Sequence, residues 1–380
     1  MEAYEKLKLL SSQMHLEPAE DTDCVQLSAR KQDKLSVSQA VMPNGKRMML
    51  LKSQLSTVCE KDCYYCPFRA GRDFQRATFG PDEFAKVFMA LYHTRIAEGI
   101  FLSSGIINHG AFTQDKLIDT AEILRNKLNY RGYIHLKIMP GAEYAQVERA
   151  MQLADRVSIN LEAPTTEHLQ KLAPRKQFTE ELLQPLKWIN QIRHNQPSYK
   201  GWNAHWPSSV TQFVISAVGE SDLDLLSTTE YLYSQLQLKR TYYSSFNPIE
   251  NTPLENVPPG DPKREHRLYE ASFLLRDYGF ALEEMPFNNK GQLPLDTDPK
   301  YAWATINLLG HPIEINRAEK HELLRVPGIG PKSVNAIVNT RVKNKFTQIE
   351  QLRALGVNIS RSAPFILLNG KHLEIQASFL

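Results

Sequence analysis

The sequence has few cysteines and no long apolar stretch. Four of its 380 residues are Cys, and no apolar run approaches the roughly 20 residues that span a bilayer. The first residues also lack the apolar core of a secretory signal peptide. These absences argue against a secreted protein stabilised by disulfide bonds and against a membrane protein. We expect a cytoplasmic location, where thiols stay reduced.

Internal repeats, low-complexity tracts and a strong net charge are absent as well. The net charge is only +3, and the length suggests two or three globular domains. The charge is distributed unevenly, because residues 311–380 contain ten Lys or Arg residues and five Glu residues. This basic C-terminal end predicts a contact with a polyanion, and a solvated basic surface is the alternative.

Three of the four cysteines lie in one short loop. Cys59, Cys63 and Cys66 have the spacing C-x3-C-x2-C, directly after the strand-like run Met48–Leu55. Thiolates this close in sequence can hold one 4Fe–4S cubane and leave its fourth iron without a protein ligand. A structural zinc site needs four closed ligands, and the remaining Cys24 supplies no second cysteine pair. The spacing therefore favours an iron–sulfur cluster over a zinc knuckle or a disulfide.

From Lys46 onward, short apolar runs alternate with helix-length segments. The predicted strands are Met48–Leu55, Gly99–Leu102, Gly132–Ile138, Val157–Asn160, Thr211–Val218 and Thr241–Phe246. The helices predicted between and after them include Asp82–Arg95, Thr113–Leu128, Glu143–Ala154, Asp222–Leu238 and Arg264–Gly279. Strands separated by helices of this length imply crossover connections and a parallel sheet of the α/β class.

The cysteine spacing, the aromatic Tyr65 before the third cysteine and the strand–helix alternation resemble the radical S-adenosylmethionine (SAM) superfamily. The resemblance implies a partial (β/α)6 barrel with a 4Fe–4S cluster and SAM as cofactors. It also implies a flavodoxin or ferredoxin as electron donor and a 5′-deoxyadenosyl radical as the reactive species. In barrels of this kind the chemistry lies at the carboxyl ends of the strands, where the cysteine loop follows the first strand.

The resemblance further implies a set of SAM contacts at the strand ends and beside the cysteines. These ten candidates are Tyr65, Ser103, Ser104, Gly105, Lys137, Asn160, Glu162, Ser216, Gly219 and Phe246. Several of them have a structural alternative. The Ser-Ser-Gly run lacks the acidic residue of the superfamily motif at that place and can be a tight turn. Lys137 can form a salt bridge with Glu162, and Asn160 can be structural.

An arginine-rich segment follows the third cysteine. Arg69, Arg72 and Arg76 are interleaved with aromatic residues, a composition suited to holding phosphate and stacking on a base. Surface salt bridges with Asp62 and Asp73 are the alternative.

The segment Leu323–Lys332 resembles a helix-hairpin-helix, a motif that binds nucleic-acid backbones. Gly328 and Gly330 permit a sharp turn and expose backbone N–H groups at the start of the second helix, beside Lys332. These N–H groups and the positive helix end predict a phosphate site. A packing or protein-binding role is the alternative. A capping box of Asn316 and Glu319 is predicted for the first helix.

We expect an N-terminal extension (1–45), a radical SAM partial barrel (46–300) and a small all-α helix-hairpin-helix module (301–380). Nearly the whole sequence resembles a bacterial family of radical SAM proteins assigned to DNA modification or repair. Further residues that carry this resemblance are 160–162 (Asn-Leu-Glu) and 212–214 (Gln-Phe-Val). It implies a reaction on a nucleotide in DNA and a uracil-DNA-glycosylase-like partner. Two alternatives stay open: a radical SAM enzyme that modifies RNA or tRNA, and a non-catalytic DNA-binding iron–sulfur protein.

Overall fold

The computed structural model describes residues 2–11, 14, 35, 37–41 and 45–373. The chain forms two compact units: the barrel unit (residues 1–220 and 231–261) and the C-terminal unit (residues 221–230 and 262–380). The predicted boundaries at residues 45 and 300 stay predictions, because compactness alone does not show which segments fold independently. Cys24 lies outside the described residues. Among the described helices, none combines the length and hydropathy that a membrane span requires.

The described residues of the barrel unit form a curled seven-stranded sheet whose strands lie side by side in chain order. The first two strands pair antiparallel and all later neighbours pair parallel. The strands are β1 (Val37–Val41), β2 (Arg47–Gln54), β3 (Gly99–Ser103), β4 (Tyr133–Lys137), β5 (Arg156–Ser158), β6 (Ser208–Ile215) and β7 (Arg240–Ser245). The predicted α/β half-barrel with six parallel strands is confirmed.

Helix α1 (Ala3–Ser11) precedes the sheet, and six helices lie between successive parallel strands. They are α2 (Pro81–His93), α3 (Gly110–Glu122), α4 (Tyr144–Leu153), α5 (Thr166–Leu172), α6 (Gln184–Asn195) and α7 (Asp222–Leu236). A π-helical turn, Ile123–Lys127, extends α3, and another, Phe178–Leu183, precedes α6. The residues of α7 divide between the two units at Tyr231.

Helix α2 shows how the sequence dictates one of these connections. Gly80 precedes Pro81, which suits the first helical position because its missing N–H needs no partner there. The Glu83 carboxylate accepts a hydrogen bond from the Gly80 N–H at 3.4 Å. Phe84 and Phe88 are fully buried and one helical turn apart. Helical spacing of large apolar residues therefore gives α2 a single buried face.

Strand β6 differs from its prediction at its C-terminal end. It stops at Ile215, and Ser216 and Gly219 both have positive φ, at 72° and 83°. The Glu220 carboxylate accepts hydrogen bonds from the N–H groups of Ser216 and Val218. The segment predicted to extend the strand is therefore a tight turn closed by a carboxylate, since backbone with positive φ cannot continue a strand. Strand β1 was not predicted.

The described residues of the C-terminal unit form six α-helices after α7, and a small sheet. The helices are α8 (Pro262–Asp277), α9 (Pro299–Asn307), α10 (Lys320–Arg325), α11 (Pro331–Arg341), α12 (Ile349–Ala354) and α13 (Ile359–Ser362). The strands are β8 (Ile313–Glu314), β9 (Ile366–Leu368) and β10 (Lys371–His372), in the order β10–β9–β8. The predicted helical module is confirmed, and the three-stranded sheet adds to it. Its core includes Leu323, Val326, Ile329, Val334, Ile337, Phe346 and Phe365.

Helices α10 and α11 form the predicted hairpin, and its turn is anchored by Gly328. This glycine has a φ of +81°, and a Cβ added there would lie 2.5 Å from the Asn358 carbonyl oxygen. The Gly328 carbonyl in turn accepts a hydrogen bond from the Asn358 N–H at 2.9 Å. Only glycine combines this backbone conformation with such a close approach.

The first hairpin helix is capped later than predicted. Glu319 is the N-cap of α10, and the Glu322 carboxylate accepts its N–H at 2.7 Å. The predicted capping residue Asn316 instead donates to the Phe346 carbonyl at 2.9 Å and accepts from the Phe346 N–H at 2.8 Å. The Asn316 carboxamide therefore forms with the Phe346 backbone the two hydrogen bonds that a neighbouring strand would form, although Phe346 is 30 residues away in sequence.

We expect Gly328→Ala to lower the free energy of unfolding by about 2 kcal/mol or more, because it combines backbone strain with a steric clash. Chemical denaturation monitored by circular dichroism measures the change. Gly310→Ala is the matched control in the same unit, since its Cβ would meet no described atom within 4 Å and its φ is not positive. Equal losses in the two variants would contradict this view of the hairpin turn.

Candidate active site

The barrel unit contains a cavity that opens to solvent. Gln54, Ser103 and Lys137, the last residues of β2, β3 and β4, all line it, so it lies at the carboxyl ends of the strands. The predicted site residues that line it are Cys59, Cys63, Tyr65, Cys66, Ser103, Ser104, Gly105, Lys137, Asn160, Glu162 and Phe246. The fold thus gathers the three cysteines and eight of the ten candidate SAM residues.

Ser216 and Gly219 are the two candidates that the cavity does not include. Both belong to the turn closed by Glu220, which follows the end of β6. The prediction placed them at the end of a longer strand, which stops at Ile215. The predicted strand end was therefore wrong, and the contact of Ser216 and Gly219 with SAM stays a prediction.

The cysteine loop is fixed to the end of β3 by backbone contacts. The Gly105 N–H donates to the Ser56 carbonyl at 2.7 Å, and a Cβ on Gly105 would lie 2.2 Å from the Val58 carbonyl oxygen. The Ile106 N–H donates to the Cys59 Sγ at 3.4 Å. Gly105 therefore has a structural role, because the absence of a side chain lets the cysteine loop approach the end of β3 closely. The adjoining N–H places a hydrogen bond on a cysteine sulfur.

The three thiols form a donor set that fits an iron–sulfur cluster. Burial raises the pKa of the Cys63 and Cys66 thiols, and the neighbouring cysteines raise it further. Close, buried thiolates destabilise each other unless cations compensate their charge, and cluster irons bound by thiolate do this. Cys59, Cys63 and Cys66 would be the ligands of the cluster.

Glu162 occupies a strained position that the sheet holds in place. Its φ is +66°, while its N–H donates to the Gln212 carbonyl at 2.9 Å and its carbonyl accepts from the Val214 N–H at 2.8 Å. Its Oε2 atom is buried and has no hydrogen-bond partner among the described residues. A buried acceptor without a donor is costly, so it fits a ligand with donors such as the ribose or ammonium of SAM.

The partner of Glu162 is Lys176, which the sequence did not indicate. The Lys176 Nζ lies 3.1 Å from the Glu162 Oε1 and donates to the Tyr65 hydroxyl at 2.9 Å. Burial opposes the charged ammonium, but Cys63 and Glu162 outweigh it and raise the pKa of Lys176. Glu162 therefore forms an ion pair with Lys176, and the alternative pair with Lys137 stays a prediction.

The arginines after the third cysteine contact backbone carbonyls. Arg69 Nη1 donates to the Asn251 carbonyl at 3.2 Å, and Arg72 Nη1 donates to the Pro67 carbonyl at 2.6 Å. Arg76 uses both terminal nitrogens for four carbonyls, which belong to Thr57, Phe68, Arg69 and Arg72. Arg76 therefore braces this segment, and contacts of the three arginines with nucleic acid stay predictions.

In the C-terminal unit, the second hairpin helix begins without a side-chain cap. Gly330 is the N-cap of α11, Pro331 is its first residue, and the Lys332 side chain is exposed. The first-turn N–H groups of a helix need partners from outside the helix. The predicted phosphate contacts at Gly328, Gly330 and Lys332 are compatible with this helix start and stay predictions.

Comparisons with known families found matches for two segments of the chain. Residues 53–196 match the radical SAM superfamily, and residues 310–356 match the helix-hairpin-helix motif. A comparison with the curated proteins found no match.

Several solved structures are similar to the chain at low identity. Methylornithine synthase is 16% identical, with a TM-score of 0.47, over 60% of this chain and 61% of its own. The hydrogenase maturase HydG from Carboxydothermus hydrogenoformans is 16% identical, with a TM-score of 0.44, over 60% and 51%. A radical SAM methyltransferase from Sphaerobacter thermophilus is 13% identical, with a TM-score of 0.45, over 65% and 72%. The chain spans about half to six-tenths of the length of the first solved structures that it matches.

The superfamily match covers the cysteine loop and the strands from the end of β2 to β5, which form most of the cavity wall. Members of this superfamily bind a 4Fe–4S cluster and SAM. The chain therefore carries a radical SAM superfamily domain and a helix-hairpin-helix motif.

Proposed function

We propose that this enzyme modifies or repairs a nucleotide in DNA. The observation that carries the proposal is the presence, in one chain, of a cavity lined by three thiols and of a helix-hairpin-helix. The cavity supplies a place for chemistry, and the hairpin supplies affinity for a nucleic-acid backbone. A flavodoxin or ferredoxin as electron donor and a uracil-DNA-glycosylase-like partner belong to the same proposal.

The hairpin suits a phosphate backbone for reasons of backbone polarity and charge. The uncapped start of α11 presents N–H groups at the positive end of the helix, and exposed Lys332 adds a cation. Such contacts read no base sequence, and their strength falls as salt rises. Binding without sequence preference is thus the expected behaviour.

When bound, the cluster and SAM supply one-electron cleavage of SAM, the chemistry of the superfamily. The chain's own residues hold and orient the reactants. Cys59, Cys63 and Cys66 would hold the cluster, while Glu162 offers a buried acceptor to SAM. The walls of the cavity limit access of water to the reacting atoms.

Three carboxamides in the cavity support a nucleobase as the reacting group. Gln54, Asn160 and Gln212 line it, and the Asn160 Nδ2 lies 3.5 Å from the Gln212 Oε1. Gln54 is 8% exposed, and its Oε1 has no hydrogen-bond partner in the part of the chain that the structure describes. Carboxamides pair with the donor and acceptor edges of bases. A base inside a duplex would have to be flipped out to reach them.

We expect the reconstituted and reduced protein to convert SAM into 5′-deoxyadenosine, and Cys63→Ala to abolish this conversion and to lower the iron content. Removing one of three ligands leaves the cluster without a stable attachment. Chromatography of the nucleoside and iron analysis measure the two effects. Cys24→Ala, which changes the cysteine outside the loop, is the matched control. Full SAM cleavage and iron content in Cys63→Ala would contradict the assignment.

We expect Lys332→Ala to weaken binding to DNA of any sequence and to reduce the slope of log K against log salt by about 1, because one phosphate contact is lost. Gel-shift titrations at several salt concentrations give both values. Lys371→Ala removes the same charge outside the hairpin and serves as control. An unchanged slope in Lys332→Ala would argue against a phosphate contact at this residue.

The same titrations distinguish DNA from RNA. RNA and tRNA of matched length are compared with single- and double-stranded DNA at each salt concentration. Tighter binding of DNA supports the proposal, and tighter binding of RNA favours an RNA-modifying enzyme instead. Product analysis after incubation with damaged and undamaged oligonucleotides then identifies the modified nucleotide.

A further inference from the structure

A lysine that precedes the hairpin in sequence holds the turn between the two hairpin helices. The Lys300 Nζ, on α9, donates to the Ile329 carbonyl at 2.7 Å and lies 4.5 Å from the centre of the Tyr278 ring. Ile329 stands between the two glycines of the turn. Lys300 and Tyr278 both lie outside the residues 310–356 that match the motif. The support of the turn is therefore specific to this chain's own α9 and to the residue after α8.

This contact fixes the direction of an N–H group at the start of the second hairpin helix. The peptide bond between Ile329 and Gly330 is trans, as are the others among the described residues. In a planar trans peptide the carbonyl oxygen and the N–H point in opposite directions. Ile329 is buried with its carbonyl toward Lys300, while Gly330, the N-cap of α11, is partly exposed. The Gly330 N–H therefore points to the side away from the lysine.

The Lys300 ammonium forms no ion pair with any residue that the structure describes. The carboxylates around it pair with arginines instead: Asp298 pairs with Arg361, and Glu284 pairs with Arg325 at 2.8 Å. The partners of Lys300 are a carbonyl oxygen and an aromatic face, which carry no formal charge. A half-buried cation without a carboxylate partner is costly, and an anion bound at the hairpin turn would reduce that cost.

The charge of this lysine depends on pH in the neutral range. Burial lowers the pKa of Lys300 from its ordinary value of 10.5 to about 7. Asp298 opposes this effect, while the positive charges of Arg361 and Arg325 add to it. Burial also raises the pKa of the neighbouring Tyr278, whose hydroxyl therefore stays uncharged in this range. An anion nearby would favour the protonated form of Lys300.

We propose that Lys300 is a positioning residue of the hairpin, which directs the Gly330 N–H toward a DNA phosphate and makes this phosphate contact dependent on pH. Protonation of Lys300 and binding of phosphate favour each other, because opposite charges attract and the coupling is reciprocal. The affinity for DNA should therefore fall as the pH rises through about 7. The inference rests on the proposed binding of a nucleic-acid backbone by the hairpin, and it adds a residue outside the motif that controls this binding.

The test is a fluorescence anisotropy titration of labelled double-stranded DNA with the full-length protein, at constant salt, from pH 6 to pH 9. A phosphate that raises the pKa of Lys300 by about one unit makes the charged form bind about tenfold more tightly. We expect the wild type to exceed the uncharged variant Lys300→Met about tenfold in affinity at pH 6, and to equal it near pH 9. Every histidine is present in both proteins, so the ratio of their affinities isolates Lys300.

Lys300→Arg is the matched variant that stays charged over the whole range. We expect its affinity to equal that of the wild type at pH 6 and to exceed it about tenfold at pH 9, because only the lysine loses its proton. Circular dichroism shows whether each variant is folded. If Lys300→Met does not fold, the ratio of Lys300→Arg to the wild type decides the question by itself, since this ratio has to rise with pH.

The pH profile separates this role from a purely structural one. A lysine that only stabilises the turn gives the wild type the same advantage over Lys300→Met at every pH. That constant ratio, or equal affinities at pH 6, overturns the inference while DNA binding by the wild type still stands. A wild type that binds no DNA at any pH overturns the proposed function, and the inference with it.

Discussion

Three sulfur atoms on one eight-residue loop, at the carboxyl ends of a parallel sheet, determine what the rest of the barrel unit has to do. Buried thiols that lie close together raise each other's pKa, so the site is unfavourable as three free thiolates. Cations would resolve this conflict, and iron bound by the three thiolates would supply them. Gly105, which lets the loop approach β3, and Lys176, which adds a protein cation, both serve the same site.

The sheet and most of the site could be predicted because their signals are local. Each parallel strand is a short apolar run, and residues that follow such runs meet at one edge of the sheet. This is why Ser103, Lys137 and Asn160, which are far apart in sequence, line one cavity. The three-cysteine spacing is also local, and together with the strand that precedes it this spacing is enough to predict the edge of the sheet at which the cavity lies.

What the sequence could not indicate depends on contacts between distant residues. Lys176 lies 14 residues from Glu162 and 111 from Tyr65, so its role is visible only in three dimensions. The end of β6 depends on a single carboxylate, Glu220, which closes a turn where the apolar run suggests a longer strand. Strand β1 is short and only one of its residues, Ala40, is buried, so its composition carries a weak signal.

The most direct test of whether the three cysteines hold a cluster with one open iron is spectroscopic. It uses the protein purified and reconstituted without oxygen. If the three cysteines leave one iron open, the reduced protein shows the resonance of one 4Fe–4S cluster per chain, and adding SAM changes that spectrum because SAM binds the open iron. Zinc in place of iron, or a cluster whose spectrum does not respond to SAM, would contradict this view of the site.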